Sequence, residues 1–365
     1  MKMKACIVLG TRPEIIKMAP VIRECIRKKV DFFVVHSGQH YSYNMDRIFF
    51  ENLELPDANY NLEVGSLPGY AQTAKIMERL GPILESERPD VVLVQGDTNT
   101  VAAGAIAARK LNIKVGHVEA GLRNYDERMP EELNRVLADH CATYLFAPNI
   151  REKRILRREG IPKDRIFVTG NTIVDSVLEN VELADEEILK KLNVEQNSYI
   201  LATMHRQENV EVKDTLAGML DGLGLVQKRL SLPVIFPLHP RTRSRIQDFG
   251  LKIPEGVKVI EPVGFLEFLA LEKNARLILT DSGGVQEEAC ILRVPCVTMR
   301  ISTERPETVE VGANIIGGTS PEGIVDAALK MIATNRNWKN PLGDGRASRR
   351  IIKIIEEDIE KSKKK

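Results

Sequence analysis

The chain has 365 residues, 43% of them hydrophobic and 28% charged, which suits a globular protein of two domains of roughly 100–200 residues each. A formal net charge of +1 leaves no bulk electrostatic drive toward nucleic acid or a membrane surface. Five cysteines, an odd number with no C-x-x-C spacing, argue against a disulfide framework and fit a reducing cytoplasm, and no apolar run approaches the ~20 residues of a membrane span.

The opening "MKMKACIVLG" is too short an apolar run for a secretory leader and predicts a first strand, "KACIVLG" (4–10). Further strands are expected at "DFFVVHSG" (31–38), "DVVLVQGD" (90–97), "KVGHVEA" (114–120), "TYLFAP" (143–148) and "RIFVTG" (165–170). A second set follows at 199–205, 233–239, 257–262, 276–283, 295–299 and 313–318. Most are continuous apolar runs, as in strands buried on both faces of a parallel sheet. Amphipathic stretches such as "TVAAGAIAARKL" (100–111) lie between them. Strand–helix alternation repeated twice predicts an α/β protein of two doubly wound Rossmann-like domains facing a central cleft. The expected domains are 1–170 and 171–346, with a last helix near 347–365 that the sequence alone assigns to neither.

Open α/β sheets bind ligands beyond the carboxyl ends of their strands, so the residues just after each strand carry the information. After the first strand comes "GTRPEIIKMAP", where Arg12, Lys17 and a helix start make a plausible anion seat. After the third comes "QGDTNT", where Asp97 and Thr98 are placed to cap a helix. The fourth leads into "HVEAGLRNYDERMPEELNR". Glu131 and Arg135 there have the spacing of a surface i,i+4 pair. Glu119 is harder to explain, because acids at a buried strand end are rare unless paired or functional.

In the second half, His205 and Arg206 follow one strand and His239 follows another. Their spacing and the lack of accompanying cysteines give no zinc signal. The segment "LTDSGGVQEEAC" (279–290) turns from strand to helix through Ser282, Gly283 and Gly284, whose amides suit a phosphate. Glu287 and Glu288 point in directions about 100° apart on a helix of ~3.6 residues per turn, so one of them is free to accept from ribose hydroxyls. Arg305, downstream in "STERPE", adds a cation for a diphosphate. No G-x-G-x-x-G lies between a strand and a helix, no G-x-x-x-x-G-K-[ST] occurs, and there is no Asp-x-Asp. The reading therefore calls for no nicotinamide, no other cofactor and no metal.

The ordered set "GTRPEIIKMAP", "GDTNT", "VEAGLR", "PEELNR", "HRQEN", "DSGGVQEEA" and "TERPE" resembles the non-hydrolysing UDP-N-acetylglucosamine 2-epimerase family over most of the chain. The resemblance implies a GT-B-like fold, a homodimer, and interconversion of UDP-GlcNAc and UDP-ManNAc for glycan synthesis. It implies that the last helix crosses back to the first domain. It assigns Arg12, Lys17, Asp97, Glu119, Glu131, Arg135 and His205 to the reaction centre. It assigns Phe268, Ser282, Gly283, Gly284, Glu288 and Arg305 to UDP. Gln39, Arg206 and His239 match parts of a site for a second, activating UDP-GlcNAc. Ser42 stands where a second Gln is usual, and Cys290 replaces a usual Pro.

The chemistry narrows the route. C1 of the sugar is acetal-like, so the proton on C2 is not acidic. Cleaving C1–O first gives C1 cation character and acidifies C2–H. Loss of UDP and that proton would leave 2-acetamidoglucal, and re-addition on the other face would give the epimer. Arg12, Lys17, Arg305 and the amides of residues 282–284 are expected to stabilise the departing diphosphate. Asp97, Glu119, Glu131 and His205 are the candidates for base and acid on the two faces of C2. Rival readings are a glycosyltransferase with an acceptor groove, a hydrolysing epimerase that releases free ManNAc, and a non-catalytic nucleotide-sugar sensor.

Overall fold

In the computed structural model, which describes residues 3–39, 43–126 and 128–363, the chain divides into two compact units. The first comprises residues 1–178 and 343–365, and the second 179–342. Ser42 lies outside the described residues.

The first unit holds strands β1 (Lys4–Leu9), β2 (Asp31–His36), β3 (Tyr60–Asn61), β4 (Val91–Gln95), β5 (Lys114–Val118), β6 (Tyr144–Ala147) and β7 (Ile166–Val168). They form one parallel sheet in the order β3-β2-β1-β4-β5-β6-β7. Every residue of β4 is buried, and so is all of β1 after Lys4, because helices cover both faces. β3 is the one strand here that apolar patterning does not announce. It is two residues long, and both are half-buried.

The second unit holds β8 (Ile200–Thr203), β9 (Val234–Pro237), β10 (Val257–Ile260), β11 (Leu277–Thr280), β12 (Cys296–Thr298) and β13 (Asn314–Ile316), again parallel, in the order β10-β9-β8-β11-β12-β13. Separate apolar clusters serve its two faces, one around Met219, Phe236 and Ile324, the other around Tyr199, Ile278 and Val285. Cys290 is wholly buried beside Ala313 and Trp338, and its carbonyl accepts from the Trp338 indole at 2.9 Å.

In each sheet the strand order reverses direction at one place, between β1 and β4 and between β8 and β11. Crossovers leave there toward opposite faces and open a crevice at the carboxyl ends. Residues 10–12 and 96–97 follow the first pair, and 204–206 and 281–284 follow the second.

The last described element is the helix Ala347–Lys363, which belongs to the first unit and packs on the helix Arg12–Lys28. Ile351, Ile352, Ile355 and Ile359 recur on one face and are all buried. Asp175 caps this helix, accepting from the Ala347 and Ser348 amides at 3.1 and 2.9 Å and from the Ser348 hydroxyl at 2.7 Å. Asp358 accepts from Lys114 at 2.7 Å and from the Tyr144 hydroxyl at 2.6 Å.

Candidate functional site

The turn after β1 differs from the expected anion seat. Glu14, three residues into "TRPE", folds back and accepts from the amides of Gly10 (2.6 Å) and Thr11 (2.9 Å). Its other oxygen accepts from the Thr98 hydroxyl at 2.5 Å. An internal carboxylate thus occupies the bare amides. Burial pushes the Glu14 carboxyl up to about 7, against the pull of those three donors. Arg12 lies with its guanidinium carbon 4.9 Å from the centre of the Phe49 ring.

Lys17 turns to Glu119, with its ammonium 2.8 and 2.9 Å from the two carboxylate oxygens. Gln95 donates a bond of 2.5 Å to this carboxylate and Asn171 one of 3.3 Å. Glu119 is buried and its backbone is left-handed, φ 69°. That conformation costs a residue with a Cβ roughly 1–2 kcal/mol and collects where a structure must aim a side chain.

Asp97 does not cap its helix. Its carboxylate takes two guanidinium nitrogens of Arg135, at 3.0 and 2.5 Å, and Arg135 also reaches Glu132 at 2.7 Å. The i,i+4 pairing of Arg135 with Glu131 is therefore not formed. Arg135 turns across to the end of β4 and back to the residue three before it, and Glu131 makes none of these bonds. Asp97 with Arg135 and Glu119 with Lys17 thus form two ion pairs, their acids at the ends of β4 and β5 and their cations on two helices. Gln39, read as an effector contact, is buried here, and its side-chain oxygen accepts from the Thr100 hydroxyl at 2.6 Å.

In the second unit Asp281, wholly buried at the end of β11, organises the facing turn. It accepts from the amides of His205 (3.1 and 3.0 Å) and Arg206 (3.0 Å) and from the Asn209 side chain (3.2 Å). The His205 ring lies with Nδ1 3.4 Å from the same carboxylate. Burial lowers its pKa, with Asp281 opposing, so the ring is neutral at pH 7. The His239 ring centroid is 5.6 Å away, but its Nδ1 accepts from the Arg241 amide at 3.2 Å. His239 is thus the cap of its own helix, a job its position just before Pro240 could have signalled.

The glycine turn after β11 opens the helix Gly283–Leu292. The Ser282 amide is already given to the Thr280 hydroxyl at 2.9 Å, so it does not join the expected row of three. The Gly283 and Gly284 amides lead the helix, where no preceding turn supplies a carbonyl. A Cβ on Gly283 would stand 2.8 Å from Glu304, whereas one on Gly284 would meet only the Ser282 hydroxyl, at 3.8 Å. Glu304 is the group that approaches this turn. It bonds Arg206 at 2.6 Å and Arg300 at 2.6 Å. Burial works against its charge, but Arg206, Arg300 and Arg305 overcome it and hold the carboxyl at about 2.

The two helix acids separate as their angular spacing demands. Glu287 is buried against Arg305, 2.8 Å from Nε. That pairing offsets the charge expected of Arg305 as a free phosphate ligand. Glu288 faces the other way, toward Glu272. Burial, and then the neighbouring Glu288, push the Glu272 carboxyl far up. Phe268 packs against the apolar cluster that includes Val285 and Ala289.

Glu14, Gln95, Asp281 and Glu304 were not singled out from sequence as partners in these networks. Only Glu14 had a readable signal, the T-x-x-E of a capping box.

A family model described as UDP-N-acetylglucosamine 2-epimerase matches residues 23–356. A Methanocaldococcus jannaschii protein named UDP-N-acetylglucosamine 2-epimerase is 53% identical over 97% of this chain and 99% of its own length. A crystal structure of the M. jannaschii UDP-GlcNAc 2-epimerase in complex with UDP-GlcNAc and UDP superposes with a TM-score of 0.88, at 53% identity and with 97% and 99% coverage. A Pseudomonas aeruginosa protein named UDP-2,3-diacetamido-2,3-dideoxy-D-glucuronate 2-epimerase is 39% identical over 97% of this chain and 99% of its own. The α/β fold is that of GT-B-like nucleotide-sugar epimerases.

Proposed function

The chain belongs to the UDP-N-acetylglucosamine 2-epimerase family, and we propose that it inverts C2 of UDP-GlcNAc to give UDP-ManNAc, reversibly, by elimination and re-addition. The observation that carries this reading is the pair of acids at adjoining strand ends, Asp97 and Glu119, each paired with its own cation. An ionised acid beside the sugar can take the C2 proton as the C1–O electron pair leaves with UDP. The products are 2-acetamidoglucal, UDP and a protonated base. Re-addition of the UDP oxygen to C1, with protonation of C2 from the other face, restores the bond in the epimer. The neutral imidazole of His205, with Glu131, completes the acid–base candidates, and the two faces are not apportioned among them.

Gly283, Gly284, Arg305 and the Ser282 hydroxyl are assigned to the diphosphate, Glu288 to the ribose and Phe268 to the uracil end. Arg12 completes the electrostatic support of the leaving group. The turn around Glu14 argues for a smaller share there than its sequence suggests, because its amides are already engaged. A second UDP-GlcNAc at Arg206, His239 and Gln39, a homodimer and a cytoplasmic setting complete the proposal. Five free thiols, four of them buried, fit that setting. Among the described residues no helix is long and apolar enough to cross a membrane.

Incubating the protein with UDP-GlcNAc in D₂O and reading the sugar by NMR tests the reaction. UDP-ManNAc with deuterium at C2 is expected. Hydrogen retained at C2 rejects elimination, free ManNAc indicates a hydrolase, and inertness without an acceptor favours a transferase. Parallel turnover of UDP-GlcNAc and a UDP-diacetamidoglucuronate decides between the two substrates for which the relatives are named.

A further inference from the structure

His117 lies on β5, two residues before Glu119, and no part of it is exposed. Its Nδ1 is 2.6 Å from one carboxylate oxygen of Asp139, and its Nε2 is 2.8 Å from the carbonyl oxygen of Gly96. A carbonyl only accepts, so Nε2 carries a proton. The second oxygen of Asp139 is held by the Gly121 amide (3.2 Å) and by Arg123 (2.8 Å), which favours the ionised acid, so Nδ1 carries a proton as well. The one imidazole species that satisfies both contacts is the imidazolium.

The two anchors of this ring are the turns that carry the candidate acids. Gly96 immediately precedes Asp97, and Gly121 stands two residues after Glu119. Gly96, Glu119 and Gly121 all have left-handed backbones, at φ 85°, 69° and 88°. The two glycines take this conformation freely, whereas Glu119 is held in it by its surroundings. Beside the Gly96 amide bond to Val118 (3.1 Å) and the Gln95 bond to Glu119 (2.5 Å), the His117–Asp139 pair links the two turns. We propose that His117, kept as an imidazolium between Asp139 and the Gly96 carbonyl, is a positioning residue that sets Asp97 and Glu119 relative to one another without touching the sugar. This rests on the reading above, in which those acids work on C2.

The surrounding charges agree. Burial opposes a charge on His117, but the Asp139 carboxylate and both hydrogen bonds outweigh it, while Arg123 works against it. Arg123 is itself offset by Glu159 at 2.6 Å. Asp139 is the acid that faces the ring from the helix Pro130–Cys141, Arg123 is the cation from the following loop, and Glu119 and Asp97 close the adjoining strand ends with their own cations.

Two measurements test it. In ¹⁵N-histidine-labelled wild-type protein, both ring nitrogens of His117 should report the protonated state at pH 7–8. A neutral tautomer there overturns the proposal. In kinetics, His117→Gln and Asp139→Asn should each lower kcat by about 10²-fold, the usual consequence of a ~1 Å misplacement, with KM and the Kd for UDP changed less than 3-fold. The alkaline fall of kcat that follows loss of the His117 proton should vanish in His117→Gln. Wild-type-like kcat in either soluble variant, or equal losses in kcat and in UDP affinity, also overturns it. Should one variant fail to fold, the NMR result and the other variant still decide. Failure of the epimerase reading is separate: it appears as absence of C2 exchange in the wild type, whatever the charge on His117.

Discussion

The Lys17 ammonium straddles the Glu119 carboxylate, 2.8 Å from one oxygen and 2.9 Å from the other, with 11% and 4% of the two side chains exposed. A charge so placed serves the acid more than it serves a phosphate.

Lys17→Met removes the cation and leaves a buried carboxylate short of one partner. Breaking a buried pair by deleting one member typically costs about 3–5 kcal/mol. A clear fall in Tm is expected, together with a loss of kcat of about 10²-fold while the Kd for UDP stays within 3-fold. Kinetics beside calorimetric UDP titration checks this. If UDP affinity falls as far as kcat, Lys17 is a diphosphate ligand after all.

The two glycines of the second unit's turn separate stability from binding. Gly284→Ala meets only the Ser282 hydroxyl, at an ordinary contact distance of 3.8 Å, so folding should be unaffected or slightly favoured, Ala exceeding Gly as a helix former by about 1 kcal/mol. UDP affinity should nevertheless fall at least 10-fold, because the methyl stands where the phosphate would approach. Gly283→Ala presses on Glu304 and should lower Tm as well. Thermal shift with and without UDP reads both. A Gly284→Ala protein that binds UDP normally removes the nucleotide from this helix tip.

Glu304 makes a prediction in pH. Its folded pKa is depressed to about 2, from an ordinary value of 4.5. Its stabilisation is therefore present above the ordinary value and is lost as pH falls through about 2. The shift corresponds to about 3 kcal/mol as an order of magnitude. Urea denaturation should show the gap between wild type and Glu304→Gln constant above pH 5.5 and closing between pH 4.5 and 2. A gap that does not change with pH would mean that the arginines do not act on Glu304 through its charge.

Much of this was legible before the structure, for identifiable reasons. Strands buried on both faces write themselves as uninterrupted Val, Ile and Leu, so β1, β4 and β11 stood out, while Tyr60–Asn61 had no such signature. Strand ends direct attention to crevices, so Asp97, Glu119, His205 and Ser282 drew notice by position, and the family resemblance supplied their expected roles. The partners were not. Arg135 lies four residues from Glu131 but 38 residues from Asp97, and only the fold reveals that the longer separation wins. Glu304 and Gly283 are likewise distant in the chain and adjacent in space. Charges read singly were taken as open to ligand. Paired, as with Lys17 and Arg305, they are partly spent on the protein itself.

The terminal helix capped by Asp175 gives the chain a nested topology: residues 179–342 are an uninterrupted insert between two pieces of another body. During synthesis the insert has all its sequence available before its host does. The host cannot bury Ile351, Ile352, Ile355 and Ile359 until residues 347–363 leave the ribosome, so the half assigned to the nucleotide is able to mature first, and the half bearing Asp97 and Glu119 is completed only after that helix emerges.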